Sequence, residues 1–152
     1  MQTSKTEISI IARPSDANSI GTVFGGRIME LMDMAAAICA RRHSRLQVVT
    51  YKVSDMNFIK PIRIGNVMKI EAFVTRTFHT SMEVAVNVFA EDTYKIDIFL
   101  AANGFFNIVT MNEDNEPAKM PQFIPRTEEE KMRWEEAGQR RKVHQTRGAS
   151  QE

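Results

Sequence analysis

The chain has 152 residues, enough for one core and too few for two, since a domain takes roughly 100–200 residues. Hydrophobic residues at 43% and charged residues at 26% are ordinary globular values, which excludes a wholly disordered or fibrous chain. Twenty Lys and Arg against nineteen Asp and Glu leave a formal charge of +1, so no overall basic field is present to hold a nucleic-acid backbone. The single cysteine, Cys39, excludes an internal disulfide framework and a cysteine-built zinc cage, and it fits a reducing compartment. The apolar run over 31–40 is broken at Asp33 and falls far short of the roughly 20 residues of a spanning helix. Residues 1–7 are polar and carry no signal-peptide apolar region. A soluble cytoplasmic protein with neither membrane nor nucleic-acid partner is expected.

In chain order, Ile8, Ile10 and Ile11 predict a short strand over 7–12, which Pro14 stops because it supplies no donor. A loop rich in Asp, Asn, Ser and Gly follows and ends in Gly25-Gly26. Residues 27–43 then hold no Gly, Pro or Asn and predict a long helix. Its apolar residues extend almost all the way round, which predicts burial, and Ala35-Ala36-Ala37 predicts close packing against it. Arg41, Arg42 and His43 suit the negative end of its dipole. Thereafter the period changes to two: strands are predicted over 49–58, 67–78, 81–91 and 96–111, with links short enough to force antiparallel hairpins after the third and fourth strands. Gly104 inside the last strand predicts a bulge or strong curvature around a bulky neighbour. Thr127 with Glu130 forms a capping box for a second helix over 127–142, charged nearly all round, with Met132, Trp134 and Ala137 as its apolar anchors. The plan is α+β: a single domain over 7–142 in which one antiparallel sheet curls around one long helix, followed by a disordered polar tail over 143–152.

Two features carry candidate chemistry. Asp33 stands among apolar helix residues, where an unpaired carboxylate costs several kcal/mol. It needs a structural ion pair, a subunit seam, water or a catalytic task; Glu30, one turn away, is the competing acid. The loop 16–26 ends in two glycines at a helix N-terminus, where free N–H groups attract an anion or a polarised carbonyl oxygen, although glycines also serve turns alone. It lacks the Gly-Lys-Ser/Thr ending of a phosphate loop. His43, His79 and His144 have no metal-ligand spacing, so no metal is expected.

Asp16-x-Asn18-x-x-Gly21-x-x-Phe24-Gly25-Gly26, followed by Leu31-Met32-Asp33 and an alanine-rich stretch to Arg42-His43, resembles the hotdog-fold acyl-CoA thioesterases, within the branch of short bacterial hydrolases related to the brain-type enzyme. Val48-Val49-Thr50, Asn57-Phe58-Ile59-Lys60-Pro61-Ile62, Gly65, Thr80-Ser81-Met82-Glu83-Val84 and Pro125-x-Thr127-Glu128-Glu129-Glu130 with Arg140-Arg141 continue the resemblance in order. It implies an antiparallel sheet wrapped around a long central helix with an added C-terminal helix, and a homodimer, usually assembled as a trimer of dimers. It also implies hydrolysis of acyl-CoA to a carboxylic acid and CoA without a cofactor. Asp33 is then the nucleophile or the general base, and Asn18 places the reactants. The N–H groups at Gly25 and Gly26 form an oxyanion hole, worth about 3 kcal/mol per donor. Asn57, Phe58, Lys60, Arg63, Thr80, Ser81, Arg140 and Arg141 are the expected CoA-binding residues. Asp33 lies seven residues beyond Gly26, about 10 Å along a helix, too far for both to reach one thioester carbon, so the two ends are expected from different protomers. An acyl-CoA-binding or sensing module is the alternative, and a hotdog dehydratase, which needs a His paired with an acid, ranks behind it. Asn107 and Asn103-Gly104 depart from the family pattern, where altered packing or acyl-chain preference is expected.

Overall fold

The computed structural model describes residues 5–149, with side chains through 145. The strands are β1 (Lys5–Ile11), β2 (Gln47–Phe58), β3 (Val67–Thr77), β4 (Ser81–Asp92) and β5 (Asp97–Met111), and the long helices are α1 (Gly25–Ser44) and α2 (Glu128–Ala149). All strand pairs are antiparallel, in the order β1-β3-β4-β5-β2. The chain therefore crosses from one edge of the sheet to the other through α1, which lies in the sheet's concave face, the arrangement that the resemblance implies.

Alternation along the strands builds this core. Met68, Ile70, Ala72 and Val74 of β3, Val84, Val86 and Val88 of β4, and Ala102, Phe106 and Ile108 of β5 are each at most 3% exposed and face the helix. From α1 they meet Ile28, Leu31, Met32, Ala35, Ala36, Cys39 and Ala40, a stripe at helical spacing. The small side chains at 35, 36 and 40 let the sheet approach closely. The expectation that α1 is buried all round is corrected, because Met29 and Met34 are 37% and 46% exposed. Apolar count alone does not separate a face that meets the sheet from a face left open in the single chain.

Phe73 and Phe105 face outward with the odd-numbered residues, and beyond the bulge between Val74 and Arg76 the parity of β3 reverses, so that Arg76 and Phe78 join them; α2 packs there. Arg133 stacks on Phe73, Arg140 on Phe105 and Arg141 on Phe78, while the Arg76 guanidinium lies 3.5 Å from the centroid of the Trp134 ring. Ala137 is buried, but the expected anchor Met132 is 57% exposed: aromatic–guanidinium stacking replaces an apolar stripe. The capping box forms, with Glu130 N–H donating to Thr127 Oγ1 and Thr127 N–H to Glu130 Oε2. The expected disordered tail from residue 143 is corrected as far as Ala149, where α2 ends, since 139–147 holds no Gly or Pro to stop a helix; residues 150–152 lie outside the described residues. The remaining strand ends shift by one or two residues, and a 3-10 turn, Pro14–Asp16, was not expected. β2, twelve residues long, pairs only with β5 among the described residues, so its other edge is open.

Candidate active site

α1 carries Asp33 on its open face, and β2 brings Thr50 beside it. Thr50 Oγ1 donates a 2.7 Å hydrogen bond to Asp33 Oδ1. Of the outlets open to this acid, the single chain shows water and a partner: Asp33 is exposed and holds one hydroxyl. A carboxylate has about four lone-pair sites, so the rest of its acceptor capacity remains for a ligand. Glu30 is also exposed, but its Oε1 accepts from Arg27 Nη1 at 3.0 Å, and that cation occupies it.

The loop before α1 is organised by two short side chains. Asn18 Oδ1 accepts the N–H groups of Ile20 and Thr22, and Asn18 Nδ2 donates to Thr22 Oγ1 at 2.7 Å. One amide hydrogen is thus left over. Asp16 is buried; its Oδ2 accepts the Arg13 N–H and its Oδ1 accepts Arg27 Nε at 3.1 Å. The Arg13 backbone N–H, opposed by burial and aided by the Arg27 and Arg13 charges, holds the Asp16 carboxyl below its ordinary range. Asp16 therefore ties the loop to the first turn of α1.

That turn begins at Gly25 after Phe24, which supplies no side-chain cap, so the first N–H groups keep the donor capacity that a helix start leaves unused. A Cβ at Gly26 would meet Phe24 Cε1 at 2.7 Å, and one at Gly25 would meet the Phe58 ring at 3.5 Å. Gly26 thus lets the Phe24 ring close on the helix entrance, while the Phe58 ring stands at van der Waals distance from Gly25. Thr22 forms a bridge with Arg63, and Lys60 lies 5.4 Å from the Phe99 ring centroid, so both cations flank this end of the fold. Asn57 Nδ2 donates to Asn103 Oδ1 and to the Asp55 carbonyl.

The remaining expected CoA-binding residues sit elsewhere. Ser81 Oγ and Tyr51 Oη both accept from Arg141 Nη1, on the outer face of the sheet. There Arg141, Lys52 and His144 help line a cavity of about 250 Å³. The Thr80 carbonyl accepts the Thr110 N–H, and the Thr110 hydroxyl lies between the Ala118 carbonyl at 2.6 Å and the Thr80 carbonyl at 3.1 Å. Arg140 makes a two-pronged pair with the buried Glu83, at 3.0 and 2.7 Å, and Thr75 donates to the same carboxylate. Its charge is already balanced. Cys39 is buried, and burial pushes its thiol up to about 11, which keeps it protonated and unreactive near neutrality.

Thr50 and Asp16 carried no assigned role in the sequence reading. Alternation of Val49, Tyr51 and Val53 with Thr50 and Lys52 puts Thr50 on the polar face, and only the register shift between Thr50 and Lys52 turns it with Val53 toward the helix; nothing in the pattern around Asp16 separates it from an ordinary loop acid.

Residues 20–96, which include Gly25, Gly26, Asp33, Thr50 and Asn57, match the thioesterase superfamily. An uncharacterised acyl-CoA thioester hydrolase of Bacillus subtilis is 37% identical over 127 residues, 84% of this chain and 74% of that protein. The chain belongs to the thioesterase superfamily. This superfamily member is also 38% identical over 135 residues to the cytosolic acyl coenzyme A thioester hydrolase of Rattus norvegicus; the match takes in 88% of the chain but only 35% of that longer relative. An apo-hexameric acyl-CoA thioesterase superposes with a TM-score of 0.93 at 34% identity, covering 96% of this chain and 94% of the other. The acyl-CoA hydrolase of Staphylococcus aureus, solved with butyryl coenzyme A, coenzyme A and coenzyme A disulfide, gives 0.89 at 31%, covering 97% and 90%. That hydrolase has also been solved with an Asn, an Asp or a Thr changed to Ala. These likenesses make the thioesterase-superfamily architecture a hotdog fold, as expected. No helix among the described residues is long and apolar enough to cross a membrane.

Proposed function

We propose that this protein is an acyl-CoA thioesterase that hydrolyses the thioester to a carboxylic acid and CoA, with Asp33 as its working carboxylate. The observation that carries the reading is the Thr50–Asp33 hydrogen bond, which orients one Asp33 oxygen while leaving the acid on the open face of a hotdog helix. In the S. aureus hydrolase the three substituted positions keep the sequence spacing that separates Asn18, Asp33 and Thr50 here. Asp33 acts either as a base that takes a proton from the attacking water or as the nucleophile itself. As base, it returns that proton to the sulfur when the C–S bond breaks. The negative charge that develops on the thioester oxygen falls on the N–H groups at Gly25 and Gly26, and the spare amide hydrogen of Asn18 places water or carbonyl.

The roughly 10 Å along α1 between Gly26 and Asp33 favours a site shared by two protomers. The open edge of β2 and the exposed face of α1 supply surface for such a homodimer, and hexameric relatives support assembly into a trimer of dimers. Lys60 and Arg63 are the cations assigned in this reading to the CoA phosphates, supported by the Arg63 bridge to Thr22 of the loop before α1. The Ser81–Arg141 group serves CoA only where a site of another copy abuts the outer face, and Arg140 acts through the fold. A cytoplasmic location suits the single buried thiol and the cytosolic relatives.

Release of free CoA from a panel of straight-chain acyl-CoAs, followed with a thiol reagent, tests this reading. Turnover that depends on Asp33 is the expected result. Binding of acyl-CoA without CoA release would instead make the protein a binding module.

A further inference from the structure

The inner face of β2 runs along α1 from the Asp33 contact to the Gly25 contact. Thr50, Val53 and Phe58 pair there with Ile108, Phe106 and Ala102, the helix-facing residues of β5. Between Ser54 and Asn57 the ladder slips, and Asp55 takes a φ of 50°. Such a bulge re-aims the neighbouring side chain, here Met56. Opposite it β5 carries Gly104, which is buried. A Cβ built at 104 would lie 2.9 Å from Met56 Sδ and 3.8 Å from Met32 Cε. Met56 therefore fills volume that an ordinary residue at 104 would take. It does so from a half-buried position, with its root at the open edge of β2 and its sulfur in the core. At the far wall of this recess stands Met32, fully buried and immediately before Asp33.

A recess made by a missing side chain and plugged by an unbranched, flexible one is a space that can be exchanged. Methionine leaves such a space at little cost in strain, and an alkyl chain is a close chemical match for what it vacates. We propose that Met56 over Gly104 is the acyl-chain gauge of this site: Met56 swings out of the recess to admit the end of a straight, saturated acyl chain and sets how long that chain is. The proposal rests on the thioesterase reading. It deepens that reading by naming the substrate feature that is measured and the residues that measure it.

The test is kcat/KM for CoA release from acetyl-, butyryl-, hexanoyl-, octanoyl-, dodecanoyl- and palmitoyl-CoA by the parent, Met56→Ala, Met56→Leu and Gly104→Ala. A methylene accepted or refused by an apolar pocket changes kcat/KM by about tenfold or more. Met56→Ala opens the recess and should raise the long-to-short ratio by at least about tenfold. Met56→Leu, similar in bulk but branched and stiffer, and Gly104→Ala, whose methyl itself occupies the recess, should lower it. Leu for Met conserves volume and keeps the comparison within folded protein. An unchanged chain-length profile in both Met56 variants, or an equal loss for every chain, overturns the gauge and leaves the thioesterase reading standing. A parent that releases CoA from no member of the series overturns both.

Discussion

At Asp33 and Glu30 two acids one turn apart on the same helix have different neighbours, and the neighbours decide their expected behaviour. Glu30 is neutralised by Arg27, whereas Asp33 is steered by an uncharged hydroxyl that withdraws none of its charge. Asp33→Ala should therefore lower kcat for CoA release at least about a hundredfold while the thermal unfolding curve stays cooperative. Glu30→Ala should cost far less, and Thr50→Ala should fall between them because it frees the carboxylate to rotate without removing it. Parent-level turnover in folded Asp33→Ala would remove the assignment. Arg140 belongs to a different account. Truncating it leaves Glu83 a buried charge with only the Thr75 hydroxyl as a side-chain partner, and removing one member of a buried pair costs about 3–5 kcal/mol. Arg140→Ala should lower the stability measured by urea unfolding by that order, and Glu83→Gln placed in the same chain should recover part of it.

Among the elements, the loop before α1 is pinned to the helix by Asp16, and that pin has a pH dependence whose sign follows from its environment. A carboxyl held below its ordinary range in the folded chain contributes stability above its unfolded pKa, near about pH 4, and loses it as pH falls through the folded value. Unfolding free energy measured from about pH 6 down to pH 3 should therefore drop more steeply for the parent than for Asp16→Asn. Equal slopes would show that the pin carries no proton linkage. Elements of this kind divide by how much of their cause is local. The strand and helix positions were legible because alternation and helical spacing are imposed by the adjacent core, and the capping box was legible because Thr127 and Glu130 are three residues apart. The docking of α2 was not, because Arg76, Phe73 and Phe105 reach it from strands far away in sequence. The partners of Asp33 and Arg140 were hidden for the same reason, since a side chain's type says nothing of which distant element will face it.

For the whole molecule β2 is the decisive strand: among the described residues its outer edge offers unpaired backbone groups beside the exposed face of α1. If two protomers share each site, folded Asp33→Ala and Asn18→Ala chains, each inactive alone, should regain CoA release after mixing under conditions of demonstrated subunit exchange. A hybrid dimer then holds one site with both residues intact. Activity that stays absent, or a fully active isolated monomer, would place both residues in one chain's site. The same edge bears on the life of a newly made chain. The twelve residues of β2 contain no proline and carry Val49 and Tyr51 half in water; apart from the irregularities after Thr50 and after Ser54, its backbone is a template that another strand could join. If that edge is completed by a copy of the chain, a chain awaiting its copy has little to discriminate it from an unrelated, half-folded neighbour. Synthesis of several chains close together would favour the correct match, and crowding with other unfolded proteins would favour clumping, so the yield of active protein should depend on how quickly sister chains meet.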